Sequence, residues 1–161
     1  MNGPPAAFEE LRWTPEAASG AYAHARESYP EECCGFLLGP WDGSPGPVRT
    51  VVRIVRAANA RSEERTHRFV IPAPEVLALE RSLEGGSESI VGFYHSHPDH
   101  PARPSDYDRD HAWPGYAYVV LAVTRQGVDA VGAFELDPEE RVFHPRRLLP
   151  SPGLVGPRAV P

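Results

Sequence analysis

The sequence predicts an α/β domain, a mixed sheet accompanied by a few helices. Three observations carry this: a capped helical run near the N-terminus, a second amphipathic run closed by paired glycines, and several short β-branched segments separated by Gly and Pro. Thr14 as N-cap, with Pro15 at the first helical position, opens a helix to about Ser28. Its inner face is Ala18, Ala21, Tyr22, Ala25 and Tyr29, and Pro30 ends it. Cys33 to Leu38 and Val48 to Ala57 read as two strands paired antiparallel across the Gly/Pro-rich loop 39–47. Phe69-Val70-Ile71 adds a short strand candidate. Pro74 to Leu83 puts Val76, Leu79 and Leu83 on one helical face before Gly85-Gly86 stops it. Ser89 to His95, Tyr116 to Thr124, Val128 to Leu136 and Arg141 to Phe143 complete the strands, with Gln126-Gly127 as a turn.

A chain of 161 residues fits one domain with its own core, expected over 1–147, followed by a flexible Pro/Gly-rich tail over 148–161. The N-terminus shows no basic region leading into an apolar stretch, and no run approaches the roughly 18 apolar residues of a membrane span. A soluble cytoplasmic protein is expected. The two cysteines, Cys33 and Cys34, are adjacent and would close a strained ring, so no structural disulfide is expected. They should be buried strand residues on opposite faces. A net charge of −6, with all sixteen basic residues Arg and scattered, argues against nucleic acid as a partner.

The segment His95-Ser96-His97-Pro98, followed by Pro104-Ser105-Asp106-Tyr107-Asp108, carries the chemistry. On a strand, residues i and i+2 leave the same face, so His95 and His97 can grip one divalent ion. Asp108 supplies a third, oxygen ligand if the Pro-rich loop 98–104 folds back. Two nitrogens and one carboxylate leave a fourth tetrahedral position for water, as in a catalytic zinc centre and unlike a closed structural one.

These residues resemble a known family. Seven residues stand between His97 and Ser105 and two between Ser105 and Asp108, a spacing similar to that of the JAMM (MPN+) metalloprotease motif. Upstream, Pro30-Glu31-Glu32-Cys33-Cys34-Gly35 looks like the family's Pro-x-Glu-x-Cys-Gly strand, aligning Glu32, not Glu31, with the catalytic acid. The resemblance runs from about Glu16 to Phe134 and fits the compact bacterial and archaeal branch. It implies a mixed curved sheet with helices on its faces, the JAMM/MPN fold, similar to that of cytidine deaminases. It also implies Zn²⁺ held by His95, His97 and Asp108, with Glu32 as general base and then general acid. Ser105 would donate to the developing oxyanion. The reaction implied is hydrolysis of an amide or isopeptide bond after the Gly-Gly tail of a ubiquitin-like sulfur-carrier protein, and homodimers are common in the family.

Plainer readings stand beside these. Ser105-x-x-Asp108 is also a helix-capping box, which would hold Asp108 in place and does not compete with a ligand role. Glu32 could be a solvated strand-end carboxylate. His100 and His111 are not needed by the family pattern, although His111 shares a helical face with Asp108. Trp113, Tyr116 and Tyr118 read as core. A non-catalytic interaction module and a deaminase-like zinc hydrolase are the alternative functions. The second lacks the Pro-Cys-x-x-Cys ligand pair that deaminases use.

Overall fold

In the computed structural model, residues 7–44, 46–59 and 71–150 are described. Helix α1 (Pro15–Ser28) starts as expected: the Thr14 hydroxyl accepts the Ala17 N–H at 3.1 Å, and Pro15 occupies the first turn. Ala17, Ala21, His24 and Ala25 are its buried face, with Ala18, Tyr22 and Tyr29 packed at the margin. The burial of His24 was not anticipated. Helix α2 (Ala73–Leu83) buries Val76 and rests Leu79 and Leu83 against the core.

Among the described residues, eight strands form one mixed sheet: β1 (Glu10–Trp13), β2 (Cys34–Gly39), β3 (Val48–Val51), β4 (Arg53–Ala57), β5 (Ser89–Pro98), β6 (Ala117–Thr124), β7 (Gly127–Leu136) and β8 (Phe143–Leu149). Their spatial order is β3-β1-β8-β7-β6-β5-β2-β4. Strands β3 and β4 sit at opposite ends of that order, yet only Val52 separates them in the chain. The sheet therefore curls until its edges nearly meet. Val52 marks the junction, donating its N–H to the Leu38 carbonyl at 2.8 Å and accepting from the Thr14 hydroxyl at 2.9 Å. Near closure leaves few exposed strand edges.

Three expectations need correction. Val48 to Ala57 is not one strand: β4 pairs antiparallel with β2, whereas β3 pairs parallel with β1, because the chain turns at Val52 to cross from one edge to the other. Strand β1 was not foreseen, its Glu-Leu-Arg-Trp sequence lacking the β-branched signature. Strand β8 begins at Phe143, so Arg141 and Val142 of the expected Arg141–Phe143 strand stay outside it, and it runs to Leu149 with Leu148 buried, past the expected start of the tail, while 151–161 lie outside the described residues. Ile71 belongs to no strand, and Phe69 and Val70 lie outside the described residues.

Strand alternation splits the core into two layers. Leu37, Tyr94, Val119, Leu121 and Val131 face α1, and Phe36, Phe93, Val120 and Phe134 face α2. Cys33 and Cys34 fall on opposite layers, both free thiols. Burial pushes the Cys33 thiol up to about 11. Among the described residues no helix is long and apolar enough to cross a membrane.

Candidate metal centre

Strand β5 runs three residues beyond His95, to Pro98, so His95 and His97 both sit on it and leave from the face that also carries Phe93. Strand β6 pairs parallel with β5 through this segment, His95 opposite Val120 and His97 opposite Ala122, which fixes the backbone of both histidines in the sheet. The chain then turns through Asp99, at φ 57°, and reaches helix α3 (Asp106–His111).

The capping box forms. The Ser105 hydroxyl accepts the Asp108 N–H at 3.1 Å, and the Ser105 N–H donates to Asp108 Oδ2 at 2.7 Å. The cap aims Asp108 back over the strand. Its Oδ2 lies 3.0 Å from His95 Nε2 and 3.1 Å from His97 Nε2, and the two Nε2 atoms are 3.1 Å apart. The His97 ring is oriented from behind by Nδ1–H, which donates to the Pro101 carbonyl at 2.9 Å and so directs the Nε2 lone pair into the cluster.

Glu32 reaches the same place from the loop ahead of β2. It is 3% exposed, which overturns the solvated strand-end reading. One carboxylate oxygen of Glu32 and one ring nitrogen from each of His95 and His97 lie within 4.8 Å of one another. Glu32, His95, His97 and Asp108 thus converge from β2's approach, β5 and α3, with Ser105 at the rim. Two carboxylates compete for the role of third ligand. Asp108 is in direct contact with both nitrogens, so it is the closer fit.

The donor set can be tested against a metal on its own chemistry. Tetrahedral zinc with bonds of about 2.0–2.1 Å sets its donors roughly 3.3 Å apart, close to the observed triangle. Two neutral imidazole lone pairs and a carboxylate oxygen aimed at one point repel each other unless a proton or a cation lies between them. Burial pushes His95 below the ordinary imidazole range, toward the neutral form that ligates metals. For His97 burial acts the same way, but the bond to Asp108 and its charge outweigh it and the net direction is up. Burial works against the Asp108 carboxylate, yet His95 and His97 hold it well below the usual range. The residues fit a divalent cation.

Two clefts flank the cluster. One, of about 370 Å³, is lined by His95 and Asp108 together with apolar and aromatic side chains that include Val76, Phe93, Trp113 and Tyr118. The other, of about 670 Å³, is lined by Glu32, His97, His100, Arg103, Ser105 and Asp106. Tyr107 borders both. Tyr118 is core as expected, but Trp113 is 43% exposed at the mouth of the first cleft, so the core reading fails for it. His111 stacks on Tyr107 at 4.0 Å and bonds its carbonyl at 2.8 Å. Sequence reasoning missed the Pro101 carbonyl and gave Ser96 no part, because a backbone acceptor and a lone serine carry no pattern.

Residues 14–136 match the family described as prokaryotic homologues of the JAB domain, and the chain belongs to it. This is the JAMM (MPN+) class that the motif resembles, and the chain is a JAMM-type peptidase by family. A desampylase from Haloferax volcanii is 37% identical over 112 residues, 66% of this chain and 76% of the relative. A CysO-cysteine peptidase from Mycobacterium tuberculosis is 37% identical over 103 residues, 64% of this chain and 66% of the relative. A probable TtuB-protein conjugate cleaving protease from Thermus thermophilus is 32% identical over 120 residues, 74% and 72% of the two chains. Among solved structures, a protein from Desulfitobacterium hafniense superposes with a TM-score of 0.72 at 26% identity, covering 86% of this chain and 91% of its own. One from Salinibacter ruber gives 0.63 at 37% identity, covering 89% and 94%. The deaminase alternative is set aside by this family membership.

Proposed function

We propose that this chain is a zinc-dependent peptidase that hydrolyses the amide bond after the Gly-Gly tail of a ubiquitin-like, sulfur-carrier-type protein, with His95, His97 and Asp108 holding the metal. The observation that carries this reading is the triangle of donor atoms, 3.0 to 3.1 Å on a side, with a buried second carboxylate next to it. When bound, zinc supplies Lewis acidity that polarises the scissile carbonyl and makes an attacking water acidic near neutral pH. Glu32 takes the proton from that water and hands it to the departing amine, a role that needs a carboxylate beside the ligands and not among them. Ser105 accepts the Asp108 N–H through its oxygen, so its O–H can be donated to the oxyanion. The amine leaves into the cleft that Glu32 lines, and the acyl side approaches along the aromatic cleft.

The relatives named for CysO-cysteine and for TtuB-protein conjugates support a substrate in which a small carrier protein is joined to an amine. The test is intact-mass analysis of carrier proteins extended beyond Gly-Gly, incubated with zinc-loaded protein and with Glu32→Ala. Cleavage immediately after Gly-Gly by the wild type alone is the expected result. A zinc-loaded wild type that leaves a broad panel of such carriers uncut would refute the substrate assignment.

A further inference from the structure

We propose that Ser96, the residue between the two histidines, is a positioning residue for Glu32. The inference rests on the proton-transfer role assigned above to Glu32. Ser96 is fully buried and faces the layer away from His95 and His97. Its N–H donates to the Cys33 carbonyl at 3.0 Å, and its hydroxyl accepts the Cys33 N–H at 2.8 Å. In a regular antiparallel pair the two residues exchange both bonds through their backbones. Here only one is backbone to backbone, and the side-chain oxygen replaces the carbonyl as the second acceptor. The ladder between β2 and β5 therefore changes its bonding at the residue after Glu32. The chain leaves the sheet there, and the Glu32 carboxylate is delivered to the two histidines without Glu32 entering the ladder.

A second tie holds the other end of the same loop. The Tyr29 hydroxyl donates to Asp99 Oδ2 at 2.8 Å, and the Asp99 N–H is anchored on the Val123 carbonyl at 2.8 Å. Residues 30–32 are thus stitched at both ends to the segment that carries both histidines. The Tyr29 bond is exposed, so water can replace much of it, whereas the Ser96 bond is buried and its loss leaves the Cys33 N–H without an acceptor. Ser96 is the stronger of the two ties. Removing its hydroxyl should displace Glu32 and leave the histidines in place.

The experiment compares wild type, Ser96→Ala and Ser96→Thr, the last retaining the hydroxyl, with Glu32→Gln as a reference. Zinc content, amide exchange at Cys33, a crystal structure, and kcat with KM on a cleaved Gly-Gly conjugate are measured for each. In Ser96→Ala we expect zinc retained, Cys33 exchange faster by at least about tenfold as its buried bond is lost, and the Glu32 carboxylate moved away from the histidines. We expect kcat lowered by about ten- to a hundredfold with KM within about twofold, as for an interaction made only in the transition state. Ser96→Thr should restore kcat and Cys33 protection together. An unmoved Glu32 with unchanged kcat in Ser96→Ala, or a Ser96→Thr protein as poor as Ser96→Ala, would overturn the proposal. If the wild type cleaves no Gly-Gly conjugate, the substrate assignment fails by itself. The crystal structure and the Cys33 exchange then decide the role of Ser96 alone.

Discussion

Nε2 of His95 lies 3.0 Å from Oδ2 of Asp108, a residue thirteen positions further on that the Ser105 cap turns back toward the strand. A short helix thereby brings its carboxylate against the two histidines of the strand. The same oxygen is 3.1 Å from His97 Nε2, so removing any one of the three groups opens the triangle. His97→Ala should lose both metal and turnover, measured as zinc per protein after dialysis and as conjugate cleavage. Chelation of the wild type should abolish cleavage, and added zinc should restore it. Full activity after complete metal removal would contradict the centre.

Ser105 is asked to do two things, and substitution separates them. Ser105→Ala loses the cap, costing about 1 kcal/mol of stability. It also loses a donor to the oxyanion, costing about 10²–10³ in kcat. Ser105→Asp retains an N-cap acceptor for the Asp108 N–H but places a carboxylate where negative charge develops. Its melting temperature should stay near that of the wild type while turnover falls at least as far as in Ser105→Ala. Near-normal turnover in Ser105→Asp would assign Ser105 to the cap alone.

The parts of the fold visible in the sequence are those whose physics is local. Thr14-Pro15 specifies the start of α1 through one cap bond and one preset φ, whereas the turn between β6 and β7 falls on Arg125-Gln126, one residue earlier than expected, with Gly127, at φ 128°, opening β7 opposite Thr124. The crossing at Val52 is not local: it follows from the sheet curling until β3 and β4 become its two edges, and the periodicity of 48–57 does not change there. Strand β1 was invisible for the same reason, being held by parallel pairing to β3 and β8 and not by its own composition. At the centre, the i, i+2 spacing of the histidines and the capping box of Ser105 and Asp108 were legible because both are short-range rules. The burial of Glu32 and its tie through Cys33 to Ser96 depend on how β2 approaches β5, which no spacing in the sequence expresses.

Gly35 sits on β2 against the ring of Tyr94: a Cβ there would come 2.4 Å from Cε1 and 2.5 Å from Cζ of the ring. Tyr94 precedes His95, and its hydroxyl bonds His24 Nδ1 at 2.7 Å on the α1 side. Gly35→Ala should therefore displace Tyr94, at an overpacking cost of about 1–3 kcal/mol. For a chain of this size that lowers the melting temperature by roughly 2–12 °C. Because the shift is passed to the adjacent His95, the proposed ligand assignment makes zinc affinity fall with it. Calorimetry with a zinc titration checks both, and an unchanged melting temperature would mean that Tyr94 has room to move.

His24 gives the protein a dependence of stability on acid that is separate from the metal centre. Burial pushes its pKa from 6.5 down to about 4, with the Arg56 charge acting in the same direction and Glu27 opposing. The unfolded chain thus binds a proton at this position before the folded one does, so stability rises with pH across the interval. The contribution is fully present above about pH 6.5, is lost as pH falls toward 4, and is constant below that. A shift of this size corresponds to on the order of 2 kcal/mol, less than the full conversion because the ring edge is not wholly shielded from water. The measurement is a difference, so that it isolates this one side chain. Urea unfolding of wild type and His24→Gln is followed from pH 7.5 to 4, and the gap between the two stabilities is taken at each pH. That gap should move in favour of His24→Gln as the pH drops, because glutamine takes up no proton on unfolding. A gap that stays constant with pH would show that His24 is protonated in the folded protein as easily as in the unfolded chain.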